Sequence, residues 1–380
     1  MRAVVYRGAQ DLRLENVPVP AIRQDELLVK VAVCGVCPTD IKKIQYGTVP
    51  PPRIFGHETA GTIVKVGAAV RGFKAGERVA LHHHVPCLKC HACRHRALAQ
   101  CEQYKRTGIT AGFEPAGGGY AEYVRVMPAV LPGVVRIPKR NSFLEGAMLE
   151  PVNTVLKAVK RLGLLRGDTV LVAGQGPIGL IFTRLLTLAG AKVLATDLWA
   201  SRLKQATQFG AQWTLGANGE GRTPVPGGQT AIRADQPSKG EGRRSQPATT
   251  MFGLRKLVDR ITAGRGLDAA VIAVPSDAVV REAQELVRGA GQVLLFSHTR
   301  RGETTPLDLA QICVDEKDLI GSYSADFLLQ PEVARLVFSR RLDTRLLVTH
   351  QFPLARTAEA IDLASHPTTE SLKIVVSHTL

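Results

Sequence analysis

The sequence predicts an α/β protein of two domains, one β-rich and one built on a doubly wound parallel sheet. Three observations predict it. A length of 380 residues exceeds what one core usually serves. The first half consists of short apolar runs punctuated by glycine, and the second alternates buried strands with helical runs. At 45% hydrophobic residues, there is enough apolar material for two cores.

In chain order, Met1-Arg2-Ala3-Val4-Val5-Tyr6-Arg7 reads as a strand, because its charges interrupt any leader-like apolar run. The longest apolar candidate, Ile178 to Ala195, carries Arg184 and Lys192, so no membrane span is expected and the cytoplasm is the expected location. An extended run from Leu27 to Val33 leads into Cys34-Gly35-Val36-Cys37-Pro38-Thr39-Asp40. Gly56-His57-Glu58-Thr59-Ala60-Gly61 follows about twenty residues later, before the alternating stretches Thr62 to Val66 and Arg78 to Leu81. Cys37 is expected on a loop or helix start after a strand, and His57 with Glu58 on the turn that begins the next strand. Thiolate, imidazole and carboxylate together suit a borderline ion such as zinc, so this pair of turns is read as an open, catalytic metal site.

Cys87, Cys90, Cys93 and Cys101 fall at intervals of three, three and eight. Four sulfurs complete a tetrahedral zinc shell, so a second, structural zinc is expected to brace a lobe over 85–103. An iron–sulfur cluster also uses thiolates, but the long last interval fits a zinc lobe better. His82-His83-His84 is read as a polar segment entering the lobe. Seven cysteines, six of them in two clusters, argue for metal thiolates in a reducing compartment rather than disulfides.

Gly117-Gly118-Gly119 is read as a loop feeding a strand. From Asn141 to Arg161 apolar residues recur at helical spacing, with Glu150 on the apolar side. A buried carboxylate needs a partner, and a metal is one. The formal charge of +16 is scattered along the chain with only 5% aromatics, so it reads as a solvated surface rather than a nucleic-acid face.

In the second half, the strand Thr169 to Ala173 runs into Gly174-Gln175-Gly176-Pro177-Ile178-Gly179 and a helix to Ala189. This is the dinucleotide fingerprint in the context it requires. The first glycine makes the turn, the second lets backbone approach a pyrophosphate, the third lets helix pack on strand, and the helix N-terminus attracts the anion. Asp197 ends the next strand, Lys192 to Thr196, and lies 23 positions after Gly174. An acid there accepts hydrogen bonds from ribose hydroxyls and repels a 2′-phosphate, which predicts NAD over NADP. Arg202 is added to the cofactor-binding candidates. Helices at Ser201 to Gly210, Phe252 to Ala263 and Ala278 to Arg288 alternate with strands at Ala269 to Val274, Gln292 to Phe296 and Asp318 to Tyr323. The stretch 216–250, rich in Gly, Pro, Ser, Gln and Arg, is read as a flexible insertion in a loop.

Taken together, Cys37-Pro38-Thr39-Asp40, Gly56-His57-Glu58 through Gly67, the four-cysteine lobe, Glu150-Pro151 and the Gly174 to Gly179 loop with Asp197 resemble the zinc-dependent medium-chain dehydrogenase/reductase family. The resemblance is nearest to the branch of sorbitol, threonine and butanediol dehydrogenases, which carries glutamate-proline where typical alcohol dehydrogenases have a cysteine ligand. It implies a GroES-like catalytic domain over 1–153 and 326–380 and a Rossmann NAD-binding domain over 154–325. It further implies that Cys37 and His57 bind the catalytic zinc, completed by Glu58 or Glu150. Thr39 would pass on the substrate proton and Asp40 would orient His57, while Cys34 has no ligand counterpart.

The implied activity is reversible hydride transfer between NAD and an alcohol, by a homodimer or homotetramer acting on small molecules, with neither nucleic acid nor membrane as partner. Ile41-Lys42-Lys43 lacks a histidine that many relatives carry, and Ser322-Tyr323-Ser324-Ala325 lacks the arginine pair of sorbitol-type enzymes. The expected substrate is therefore a secondary alcohol or polyol as a class. Two other readings account for less of the sequence. A zinc-free quinone or enoyl reductase does not account for Cys37, His57 and Glu150, and a zinc-braced nucleic-acid binder leaves the glycine loop and Asp197 unexplained.

Overall fold

A computed structural model describes residues 1–82, 85–103, 117–217, 248–297, 302 and 304–378. Most of the 216–250 insertion, together with His83 and His84, lies outside the described residues. The chain divides into two compact units, Met1–Thr154 with Ser324–Leu380, and Val155–Tyr323.

In the first unit, β1 (Arg2–Gly8) pairs antiparallel with β2 (Asp11–Asn16) and β4 (Arg53–Ile54). The larger sheet is organised around β3 (Leu27–Gly35), which pairs antiparallel with β5 (Glu58–Val66) along its whole length. On the other edge of β3, β7 (Tyr123–Val126) takes the first residues and β16 (Lys373–Ser377) takes the last. The sheet continues from β5 through β6 (Arg78–Ala80) to β8 (Val135–Arg136), and from β16 to β15 (Val348–Pro353). Apolar cores cover both faces of β3. Leu27, Val29, Val31, Ile63 and Val124 form one, and Val4, Tyr6, Phe55, Ile374 and Val376 join another. This explains the near-continuous burial of β3 where a half-solvated strand would alternate.

The helical stretch expected over 141–161 forms two helices, α3 (Phe143–Ala147) and α4 (Leu149–Val159). Pro151 has no N–H to donate to the carbonyl four residues back, so one continuous helix would lose a bond at Ala147. The start of α3 is fixed by a capping box. Ser142 Oγ accepts from Glu145 N at 3.1 Å, and Glu145 Oε2 accepts from Ser142 N at 2.7 Å.

The second unit holds a six-stranded, wholly parallel sheet in the order β11-β10-β9-β12-β13-β14. Its strands are β9 (Thr169–Ala173), β10 (Lys192–Asp197), β11 (Trp213–Gly216), β12 (Leu267–Ile272), β13 (Val287–Leu295) and β14 (Asp318–Gly321). Helices α5 (Pro177–Ala189), α6 (Ala200–Gln208), α7 (Ala248–Thr262) and α8 (Asp277–Leu286) connect them. The α8 helix stops at Leu286, short of the Arg288 read from sequence. Val287 already pairs with Leu267, and Gly289-Ala290-Gly291 is a poor helix continuation. No helix among the described residues is long and apolar enough to cross a membrane.

Candidate metal centres and nucleotide loop

The first site is assembled by strand register. Gly35 at the end of β3 pairs with Glu58 at the start of β5, so the turns following one strand and preceding the other come together. Cys37 caps α1 (Pro38–Tyr46), with extended backbone at the cap and Pro38 pre-set for the first helical position. The ligand atoms of Cys37, His57 and Glu58 all lie within 4.8 Å of one another. Asp40, fully buried on the first turn of α1, places Oδ2 at 3.1 Å from His57 Nδ1 and accepts from Gly56 N at 3.1 Å. That contact fixes the ring and engages Nδ1, making Nε2 the nitrogen that can ligate.

Glu150 is buried on the first turn of α4 and senses the same cluster. Burial pushes its carboxyl up to about 7; His57 opposes that rise and Glu58 adds to it. Among the described residues the tight ligand group is Cys37, His57 and Glu58, with Glu150 outside it. Thr39 is half-buried on the same helical turn as Asp40. Cys34 is fully buried and accepts from Thr59 Oγ1 at 3.4 Å, and burial raises its thiol to about 12, as befits a packed rather than ligating sulfur.

Burial by itself would lower the His57 pKa, yet Asp40 and Cys37 hold it well above its ordinary value. The same surroundings act on Asp40, where His57, Lys43 and the Gly56 N–H outweigh the upward push of burial and keep it ionised. Sulfur, imidazole nitrogen and carboxylate oxygen converging within one largely buried group fit a divalent cation of borderline softness.

Sequence reasoning missed Lys373, which enters from β16. It is 5% exposed, and its Nζ lies 2.7 Å from Glu58 Oε1 and 2.5 Å from Oε2. A lone lysine within the apolar run Leu372-Lys373-Ile374-Val375-Val376 was the available clue, since a buried charge requires a partner.

The second site is the four-cysteine lobe. Cys90 caps the short helix α2 (His91–Arg94), Cys93 lies on it, and Cys101 follows one further turn. The sulfurs stand 3.5 Å (Cys90–Cys93), 3.6 Å (Cys87–Cys101) and 4.0 Å (Cys87–Cys93) apart. A tetrahedron with metal–sulfur bonds of about 2.3 Å has edges of about 3.8 Å, so these distances fit a closed thiolate shell. Backbone N–H groups of Lys89 and Cys90 lower the Cys87 thiol to about 6, favouring the ligating thiolate. Among the described residues, Leu98 is the one large aliphatic side chain clustered with the sulfurs, leaving little hydrophobic stabilisation from that cluster.

In the second unit the nucleotide loop has its glycines where the backbone demands them. Gly174 has φ +90, and a Cβ on Gly179 would stand 1.8 Å from the Gly174 carbonyl oxygen. A Cβ on Gly176 would meet nothing nearer than Arg202 Nη1 at 3.9 Å, so space lies open above the loop. Pro177 and Ile178 open α5, whose cap is Gly176. Asp197 ends β10 with Oδ2 accepting from Gln175 N at 2.7 Å and Oδ1 from Trp199 N at 2.9 Å, while Arg202 stacks over Trp199 and approaches Asp197 to 3.9 Å.

The family model described as "Alcohol dehydrogenase GroES-like domain" matches residues 23–139. The chain is 29% identical to a sorbitol dehydrogenase from Bombyx mori over 368 residues, covering 95% of this chain and 94% of that one. It is also 29% identical to a sorbitol dehydrogenase from Bacillus subtilis, covering 99% and 97%. Among solved structures, a putative zinc-binding dehydrogenase from Sinorhizobium meliloti bound to NADP is 25% identical and superposes with a TM-score of 0.80, covering 99% of this chain and 98% of that one. A 2R,3R-butanediol dehydrogenase from Bacillus subtilis has the same fold at TM-score 0.79 and 24% identity, covering 99% of both chains. Residues 23–139 thus match a GroES-like domain of the alcohol dehydrogenase kind, and the whole chain has the fold of zinc-binding dehydrogenases, which places it among oxidoreductases. Over nearly its whole length the chain is similar to sorbitol dehydrogenases, and it shares the fold of a butanediol dehydrogenase.

Proposed function

We propose that this enzyme transfers a hydride reversibly between NAD and a secondary alcohol or polyol, using one catalytic and one structural zinc per chain. The convergence of Cys37, His57 and Glu58 within 4.8 Å, with Asp40 braced behind His57, carries the reading. Bound zinc would supply a Lewis acid that polarises the substrate oxygen. Cys37 and His57 hold it, with Glu58 or Glu150 as the acidic ligand. Asp40 fixes the imidazole tautomer, and Thr39 passes the hydroxyl proton away from the substrate. Cys87, Cys90, Cys93 and Cys101 close the structural shell.

The Gly174 to Gly179 loop and the start of α5 receive the pyrophosphate, with Arg202 beside them. Asp197, with both oxygens aligned by backbone N–H groups, accepts the ribose hydroxyls and supports NAD as the preferred nucleotide. The relatives named sorbitol and butanediol dehydrogenase support the substrate class. A reducing cytoplasm and assembly as a dimer or tetramer belong to the same reading.

Metal analysis with a substrate screen tests it. Two zinc ions per chain are expected, with NADH absorbance growing on a diol, polyol or hydroxy amino acid. One zinc confined to the cysteine lobe, or no NADH from the whole panel, overturns it.

A further inference from the structure

The cysteine lobe carries two histidines that the proposed chemistry leaves unused. His91 is the first residue of α2 and His95 caps its end, so the turn bearing Cys90 and Cys93 sets their spacing. His95 N donates to His91 O at 3.2 Å, the helical bond that puts side chains four residues apart on one face. Both residues are exposed, and their ring centroids stand 4.4 Å apart with the planes tilted by 47°. Among the described residues, neither ring is hydrogen-bonded or ion-paired; each has the other as its ring contact. Their nitrogens are open to a ligand from solvent.

The spacing selects a coordination geometry. With metal–nitrogen bonds of about 2.1 Å and each centroid about 1.1 Å behind its nitrogen, a shared ion lies about 3.2 Å from both centroids. The centroids then fall about 4.5 Å apart for donors at about 90°, and about 5.2 Å apart at the tetrahedral angle. The observed 4.4 Å matches the right-angle case, the arrangement that tetragonal copper(II) and nickel(II) take with imidazole. We propose that His91 and His95 form an accessory site for such a divalent ion on the exposed side of the lobe, with water completing its shell. The site is separate from the four sulfurs and from the cluster around Cys37.

Lys89, Arg94 and Arg96 flank the pair and oppose a cation. Two features offset them. Arg94 is turned towards Lys89 O, which its Nε meets at 3.1 Å, and four thiolates closed around a divalent ion beside the same turn leave a net negative charge. The second offset rests on the reading of the lobe as a zinc site, whereas the two ligands do not. Because the pair spans the turn of Cys90 and Cys93, an ion held there would brace that turn from outside.

The test titrates nickel(II) by calorimetry into the protein as purified, comparing wild type with His91→Gln, His95→Gln and the double variant. Elemental analysis of the filtrate reads any zinc released. Wild type should take up one nickel ion per chain without losing zinc. Either single substitution leaves one imidazole, so affinity should fall on the order of a hundredfold, the loss expected when two tethered ligands become one. The double variant should abolish uptake. Both side chains are exposed, so the variants should keep the fold, which circular dichroism checks.

A wild-type chain that takes up no nickel overturns the proposal, as does uptake matched by released zinc, which puts the ion among the thiolates or at the mixed-donor cluster. A fall of less than about tenfold in either single variant overturns it too, because the ion is then not shared between the two rings. A chain purified without zinc in the lobe sinks the structural-zinc reading instead, and the nickel titration still decides the histidine pair.

Discussion

The two cysteine-bearing regions of the first unit draw on the same element and use it in opposite ways. In the lobe, the sulfurs of Cys87, Cys90, Cys93 and Cys101 all lie within 4.8 Å of one another, and nearby backbone N–H groups favour the Cys87 thiolate. Around Cys37 the donors are mixed and are backed by titratable groups: Asp40 behind His57, Lys373 against Glu58, and Glu150 beside them. Four like donors from one local stretch can close a shell around one ion, and on the proposed reading that shell stabilises the lobe. Around Cys37, unlike donors come from a helix cap, a turn and a strand start, two of them with a charged side chain behind them.

The sharpest way to break this contrast is to mutate one cysteine in each region. Cys37→Ser should reduce turnover on the order of a thousandfold, the loss of several kcal/mol of transition-state stabilisation, with the melting temperature nearly unchanged. Activity assays alongside calorimetry check it, and a large drop in melting temperature would erase the distinction. Cys90→Ser should do the reverse, costing on the order of 3 kcal/mol of stability together with the loss of one zinc, because metal binding there stands in for a core. Thermal melting with metal stoichiometry reads this, and an intact melting curve would contradict a bracing role.

A smaller effect sharpens the first region. Asp40→Asn removes the charge that sets the His57 ring and should weaken zinc binding or kcat by about 10- to 100-fold without removing the metal altogether. Chelator competition measures it, and wild-type affinity would show that His57 needs no such support.

The smallest effect concerns the frame that holds the cysteine lobe. His82, just before it, is completely buried, and burial drives its pKa from 6.5 down to about 4, with a hydrogen bond to Gln330 offsetting part of the fall. The folded chain therefore favours the neutral ring, so its stabilising contribution is present above pH 6.5 and is lost as pH falls from there toward 4. His82→Gln should flatten the decline in melting temperature across that window. An unchanged slope would place the acid sensitivity elsewhere.

Much of this was legible in sequence because the informative residues are constrained locally. The loop from Gly174 to Gly179 lies between a strand and a helix that are adjacent in the chain, so positive φ at Gly174 and close packing at Gly179 follow from short-range sterics. The 87–101 lobe is equally local, its four ligands lying within one short segment. The break between α3 and α4 was legible in principle, since Pro151 removes a donor. The end of α8 was not, because the pairing of Val287 with Leu267 that competes with the helix is tertiary.

The sequence by itself thus determined the α/β class, the clustering of the four cysteines and the glycine loop between strand and helix, since spacing and backbone sterics suffice for each. Only the tertiary structure decided which groups surround Cys37. Lys373 lies more than 300 residues from Glu58 in sequence and reaches it only through the register of β16 and β5 on β3, with Gly35 leaving room between them. The physical reason is that a buried charge takes its partner from whatever strand the sheet places beside it, and no local spacing encodes that choice.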